Sequence, residues 1–363
     1  MSMARARASS QTLAVVAVDG MSQKQSAPFS RYLARFVNDE RDVPFVVLSL
    51  SATLVVLPFA ALLYVPGLFR WWLAGLYAVT LFALFLDRFI LMLHNTSHRP
   101  LYRPQYRWMN VWIPWVLGPF FGETPETYYA HHLGMHHPEN NLAEDLSSTM
   151  AYTRDSVPDF LRYYARFMIT GLRDLASYLT RKKRAKLRRK MLSGETAFLV
   201  MVTLLMFVSW RATLVVFVAP VLVVRFLMMA GNWGQHAFVC ADQPESPFRN
   251  SITVINCRYN DRCFNDGYHI GHHVKANRHW SEMRTDFEAN VAEYAKKGAI
   301  VFEGIDFFGV WALLMLGRYK SLARRYVALD GPRPSDDEII ALLRSRTRAI
   351  VTEQEPSGAP ALG

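Results

Sequence analysis

The chain has 363 residues, of which 51% are hydrophobic, 13% aromatic and 20% charged, with 41 Lys and Arg against 30 Asp and Glu. A mean hydropathy of +0.06 is too polar for a bundle made only of membrane spans and too apolar for an ordinary soluble enzyme, which points to a few spans joined to a large, basic, water-facing part. Wholesale disorder is excluded, and three cysteines without CxxC spacing (Cys240, Cys257, Cys263) argue against a disulfide framework or a thiolate zinc site.

Residues 1–30 are small, polar and weakly basic, and the apolar run 13–18 is too short for a signal-peptide core. They read as a disordered N-terminal tail, with Met21 as an alternative start. Residues 45–65 then run 21 positions without a charge, roughly 30 Å as a helix, which matches the hydrocarbon thickness. A second apolar run follows Arg70 and extends to Leu93, broken only by Asp87-Arg88. A third, 197–224, contains one charge, Arg211, and is too long for one span, so it is expected to fold at Trp210-Arg211. The expected spans are therefore 43–66, 71–93, 193–210 and 212–233, four transmembrane helices in two hairpins within a domain of residues 31–330. The stretch 111–121, with Pro114, Gly118 and Pro119, is too short to cross and reads as interfacial or re-entrant. The stretch 305–316 reads the same way, and 331–363 reads as a polar tail with an amphipathic stretch around 338–350. Eight of the ten residues 181–190 are basic, while each short turn on the other side carries one Arg. By the positive-inside rule both termini and the segment 94–192 are cytoplasmic. Trp71, Trp72, Trp108, Trp112, Trp115 and Trp210 fall where interfacial anchors belong.

The histidines decide the reading. They occur as HNTSH (His94, His98), HHLGMHH (His131, His132, His136, His137), NWGQH (Asn232, His236) and HIGHH (His269, His272, His273). Separations of three and four residues project side chains from one face of a helix. The expected pairs are His94 with His98, His132 with His136, and His269 with His272 and His273. All four clusters emerge from the same ends of the spans, on one side of the membrane. Setting aside His131 and His279, nine imidazoles remain. A catalytic zinc takes three ligands and a structural zinc four, so nine suit two metals with four or five nitrogens each. Imidazole alone does not select between Zn, Cu, Fe and Ni. Asp145 and Asp266 are candidates for receiving the second ring N–H of a ligand, as imidazole ligands usually require. Glu139 is a further nearby acid, and Asp87 is placed to line an approach to the metals.

HxxxH, HxxxHH and HxxHH, set after spans two and four, resemble the membrane fatty-acid desaturase and hydroxylase family over roughly residues 40–290. The resemblance implies an all-α integral-membrane fold of four spans carrying a cytoplasmic helical cap that holds a di-iron centre. The implied iron ligands are His94, His98, His132, His136, His137, His236, His269, His272 and His273, with Asn232 acting through water. HHLGMHH has three residues between His132 and His136, where many desaturases have two, so either His131 or His132 fills the first position. O2 is the implied co-substrate and a fatty acyl chain in the bilayer the implied substrate, with desaturation the leading outcome. Hydroxylation and oxidative decarboxylation of a free fatty acid to a terminal alkene are the competing outcomes. No haem-binding, flavin or ferredoxin motif is present, so a separate ferredoxin-like or cytochrome b5-like donor is expected; the +11 net charge would attract such an acidic carrier, and would equally serve anionic lipid headgroups or the phosphates of an acyl carrier. No nucleic-acid partner is expected.

From another class, a membrane metal transporter or sensor would place its ligands near the midplane of the spans, whereas these lie at and beyond their ends. A membrane zinc protease needs HExxH, and no His here precedes Glu.

Overall fold

The computed structural model describes residues 28–350; the expected N-terminal tail thus lies outside the described residues except for its last few positions. Among the described residues the chain is mainly helical, and three helices are long and apolar enough to cross a membrane: Glu40–Tyr64, Trp71–His98 and Ala185–Gln235.

The first of these contains α1, Val43–Tyr64. A short turn at 65–70 leads into α2, Trp71–His98, which does not stop at Leu93 but carries both His94 and His98 on its final turns. The connection after α2 runs along α1 and returns. Trp112 donates its indole N–H to Thr53, near the middle of α1 (2.9 Å), yet the chain is back beside α2 at His132, whose Nε2 lies 2.9 Å from that of His98. The connection containing 111–121 therefore leaves the end of α2, reaches the middle of α1 and comes back to the end of α2. Helix α3, Thr127–His131, then opens into a π-turn, His132–His136.

Two long helices come next, α4, Val157–Arg181, and α5, Ala185–Thr213, the latter leading through 214–218 into α6, Ala219–Gln235. The 51-residue stretch from Ala185 to Gln235 is broken at Ser209, whose backbone is extended (φ −159°, ψ 96°). A straight helix would hold Glu195 and Arg225 about 45 Å apart. Instead both reach one side chain: the Thr124 hydroxyl donates to Glu195 and accepts from Arg225 Nη2 (3.4 Å). The chain thus reverses at Ser209, one residue before the expected fold. Small residues allow the close packing. A Cβ on Gly194 would overlap the Pro125 carbonyl, and one on Gly122 (φ +74°) would overlap the Pro220 carbonyl.

Beyond α6 the chain builds a cap that is not purely helical. β1, Ile252–Ile255, precedes α7, His269–Val274, and α8, Met283–Lys297. β2, Ile300–Glu303, pairs with β1 in parallel, Ile252 opposite Ile300 and Ile255 opposite Glu303. Both strands are almost wholly buried, and their Ile/Val content is the signature of a covered parallel pair, a departure from the all-α expectation. α9, Phe307–Met315, occupies the region expected to be interfacial and packs on α6, where the Phe307 backbone abuts Gly234. The stretch read as a polar tail contains α10, Asp336–Ser345, opened by a Ser335/Glu338 capping box. Its polar residues are one face only: Ile339 and Leu343 are buried on the other. The fully buried Arg154 secures residues 346–348, just past α10, by donating to the Arg346 and Arg348 carbonyls (3.0 and 2.6 Å), and it also donates to the Ala237 carbonyl (3.1 Å).

Candidate metal centre

Four elements bring the histidines together: the end of α2, the turn after α3, the end of α6 and helix α7. The ring nitrogens sort into two groups. His94, His98, His132, His137 and His272 form one; His136, His236 and His273 form the other, and within each group the nitrogens all lie within 4.8 Å of one another. His269 adjoins the second group, its Nε2 3.0 Å from that of His273 and 3.4 Å from that of His236. Five and four nitrogens result, and the groups share walls because His136–His137 and His272–His273 are neighbours in sequence facing opposite ways.

Helical spacing alone did not place these rings correctly. In an α-turn His132 and His136 would face the same site. In the π-turn, closed by the His137 N–H onto the His132 carbonyl, residues five apart align instead. His132 therefore joins His137 in the first group (Nε2 to Nε2 3.0 Å), and His136 turns to the second. Likewise HIGHH divides: His272 joins His94 and His137 (2.9 and 3.0 Å), while His269 and His273 stay together. The same turn separates the two candidates at the start of HHLGMHH. His132 is inside the first group; His131 is outside both, half-buried, with its buried Nε2 3.8 Å from Asp145.

Outward-facing atoms fix the tautomers. His136 Nδ1–H donates to Asp145 (2.7 Å), His236 Nδ1–H to the Asn250 carbonyl (2.8 Å), and His94 Nδ1 lies 3.3 Å from Asp266. Their inward Nε2 atoms are then lone pairs. Asp145 is itself held by the Ser147 N–H and hydroxyl (2.9 and 2.8 Å). Burial raises its pKa, but His136 and these hydrogen bonds overcome that and keep it ionised, below the usual carboxylate range. Asp266 accepts from the Tyr259 hydroxyl (2.6 Å). Burial first, and then their neighbours, hold His132, His137, His269, His272 and His273 well below the ordinary imidazole range. All five are neutral at physiological pH, the form that binds metals. Asn232 donates both amide hydrogens, to the Ser147 carbonyl and the Tyr163 hydroxyl (each 2.8 Å), which leaves its own oxygen as an acceptor.

The first group fits a metal better than it fits itself. Its Nε2 atoms run His98–His132–His137–His272–His94 with four contacts of 2.9, 3.0, 3.0 and 2.9 Å. Each such nitrogen offers one N–H or one lone pair, so five nitrogens make at most two hydrogen bonds and the remaining contacts set lone pairs against each other. Nitrogens bound to a first-row metal at roughly 2.1 Å and at right angles would sit about 3.0 Å apart, the spacing observed.

Residues not singled out by sequence complete the surroundings. The Tyr128 ring stacks on His132 (5.2 Å), a relation that its position four residues earlier would have suggested. Ser147, two residues after Asp145, carried no such signal. His279 is not a surface residue: it is buried, accepts from the Ser281 N–H and bonds Asp42 (3.0 Å), tying the approach to α8 to the start of α1. Glu139 belongs to neither group of nitrogens; it accepts from the Tyr178 hydroxyl (2.6 Å) and pairs with Lys182 (3.1 Å). Asp87 does line the approach, and it pairs with Arg262. A cavity of about 530 Å³ reaches His94, His132, His136 and His269 between largely apolar walls from α2, α4 and α6, within the range of pockets that enclose small ligands.

The family model described as fatty acid desaturase matches residues 70–304, a segment that contains every histidine of the two groups. Comparison with curated proteins and with solved structures gave no match.

Proposed function

The chain belongs to the fatty acid desaturase family, and from that premise we propose that it is an integral-membrane di-iron enzyme that desaturates a fatty acyl chain. The single observation that carries the di-iron reading is the division of nine imidazoles into adjacent groups of five and four. His94, His98, His132, His137 and His272 would hold one iron; His136, His236, His269 and His273 would hold the other, with Asn232 accepting a hydrogen bond from a water on it. When bound, the irons supply activation of O2 for attack on an unactivated C–H bond. The protein's own contribution is position and dryness. Asp145, Asp266 and the Asn250 carbonyl keep the rings oriented. Leu86, Ile90, Val224, Leu227 and Met228 line the cavity and would hold a methylene chain against the nitrogens while excluding water. Two hydrogens leave adjacent carbons, and O2 is reduced to water with two further electrons from a separate ferredoxin-like or cytochrome b5-like donor. The exposed basic face at Lys183, Lys186, Arg188 and Arg189 would attract such a carrier. The reversal at Ser209 supports four crossings, with the histidines and both termini on the cytoplasmic side; if the source is bacterial, the membrane is the inner one.

The experiment is metal analysis of the purified protein together with gas chromatography of lipids and headspace from cells that express it. About two irons per chain and new unsaturated acyl chains are expected. Hydroxy acids or volatile terminal alkenes would reassign the fate of the same C–H attack, and a single zinc per chain would end the oxidase reading.

A further inference from the structure

Arg225 is a cation on a membrane-crossing helix, where charge is costly and normally functional. It lines the same cavity as His94 and His132. Among the described residues its one hydrogen bond is the 3.4 Å contact to Thr124, and no carboxylate lies within salt-bridge distance of it. A guanidinium has five N–H donors, so most of its capacity is unspent. Glu123 lines the cavity too, and its buried Oε1 has no hydrogen-bond partner. Glu195 is already occupied by the hydroxyls of Thr124 and Thr127. The cavity rim beside α4 is apolar. Ile169 of α4, at its edge, is 82% exposed, and it continues an apolar stripe with Leu161 and Leu172 beside Arg162, Arg166 and Arg173, the make-up of a helix lying in the headgroup plane.

We propose that Arg225 and Glu123 form a subsite for the ionised carboxyl group of a free fatty acid, taken from the inner leaflet through the gap beside α4. The proposal rests on the fatty acyl reading above and specifies the form in which the acyl chain arrives. Arg225 supplies charge-assisted donors to the carboxylate. Glu123, pushed up to about 7 by burial, with Arg225 drawing it down and Glu195 raising it, is largely protonated below neutrality and donates its O–H to the other oxygen. A thioester or glycerol ester presents no negative charge at its carbonyl and leaves the Arg225 cation uncompensated there.

Binding of palmitate, methyl palmitate and palmitoyl-CoA to the full-length protein in phosphatidylcholine nanodiscs tests this directly. The wild type is expected to hold palmitate about tenfold or more tighter than its methyl ester. Arg225→Gln should abolish that preference by weakening palmitate alone, and Arg225→Lys should retain part of it. Equal affinity of the wild type for acid and ester would overturn the subsite without reference to any variant. Parallel weakening of acid and ester by Arg225→Gln would overturn it too, as would equally strong displacement of palmitate by lysophosphatidic acid, which would give the cation to a lipid phosphate. If palmitate is not bound but thioester or phospholipid acyl chains are oxidised, the subsite falls and the desaturase reading stands; absence of iron would remove the latter independently.

Discussion

Asp145 shows how much of the centre is made outside it. It touches no inward nitrogen, yet it accepts the hydrogen bond of the His136 Nδ1–H and is fixed by Ser147 and by the Asn141 N–H (3.2 Å). Replacing it with Asn leaves the shape but removes the charge that sets the ring's tautomer. Asp145→Asn should therefore lower metal retention by about 10–100-fold, measured as iron bound after graded chelation, with membrane insertion unchanged. Glu123 gives a pH signature. The native protein keeps its proton up to about pH 7, whereas an unburied glutamate releases it near 4.5. Between those values the native state binds more protons than the unfolded chain, so stability falls as pH rises and levels off above 7. Glu123→Gln should remove that loss, raising unfolding free energy by about 3 kcal/mol at pH near 8 and by little at pH near 4, as read from thermal or denaturant unfolding in detergent.

Among the elements, the π-turn at His132–His136 and the break at Ser209 do the most to shape the molecule. The first changes which histidines share a group of converging nitrogens, and the second folds one long apolar run back on itself. The contact that holds this reversal against the 122–125 loop depends on Gly194, where any side chain meets the Pro125 carbonyl. Gly194→Val should cost about 1–3 kcal/mol and lower the unfolding temperature, while the same change at Gly75, which lies in a helix and faces open space, should cost nothing, because Gly is the poorer helix former. Arg154 plays the corresponding part at the far end of the chain. Its donors satisfy six backbone carbonyls, including those of Thr149, Met150 and Tyr152. Arg154→Leu should cost about 3 kcal/mol or more and release residues 346–350 to proteolysis, visible by mass spectrometry.

For the whole molecule, the requirement is that segments far apart in sequence meet at one depth. His94 and His272, 178 residues apart, come within 2.9 Å, and the Asp42–His279 bond spans 237 residues. Such a site forms only when both hairpins and the cap are assembled. Its orientation in the membrane is testable by thiol labelling in a background without the native cysteines. Leu68→Cys and Trp210→Cys should react from outside intact cells, and Arg188→Cys only after permeabilisation; the opposite pattern would invert the topology.

Sequence alone was sufficient to identify the three apolar regions, because bilayer thickness sets a minimum length of uncharged chain that is visible residue by residue. It also supplied all nine histidines, since spacing of three to five residues keeps side chains within reach on any helix, and it marked Asp145 and Asp266 as their neighbours. Which rings share a site was decided elsewhere. One extra residue in a turn after α3 rotates His136 away from His132, and no composition or period encodes that. Nor does local sequence announce that Arg225, Glu123 and Thr124 meet, that His279 is buried against Asp42, or that Arg154 gathers the end of the chain. Those contacts join positions distant in sequence, and only close packing of the assembled helices brings them together.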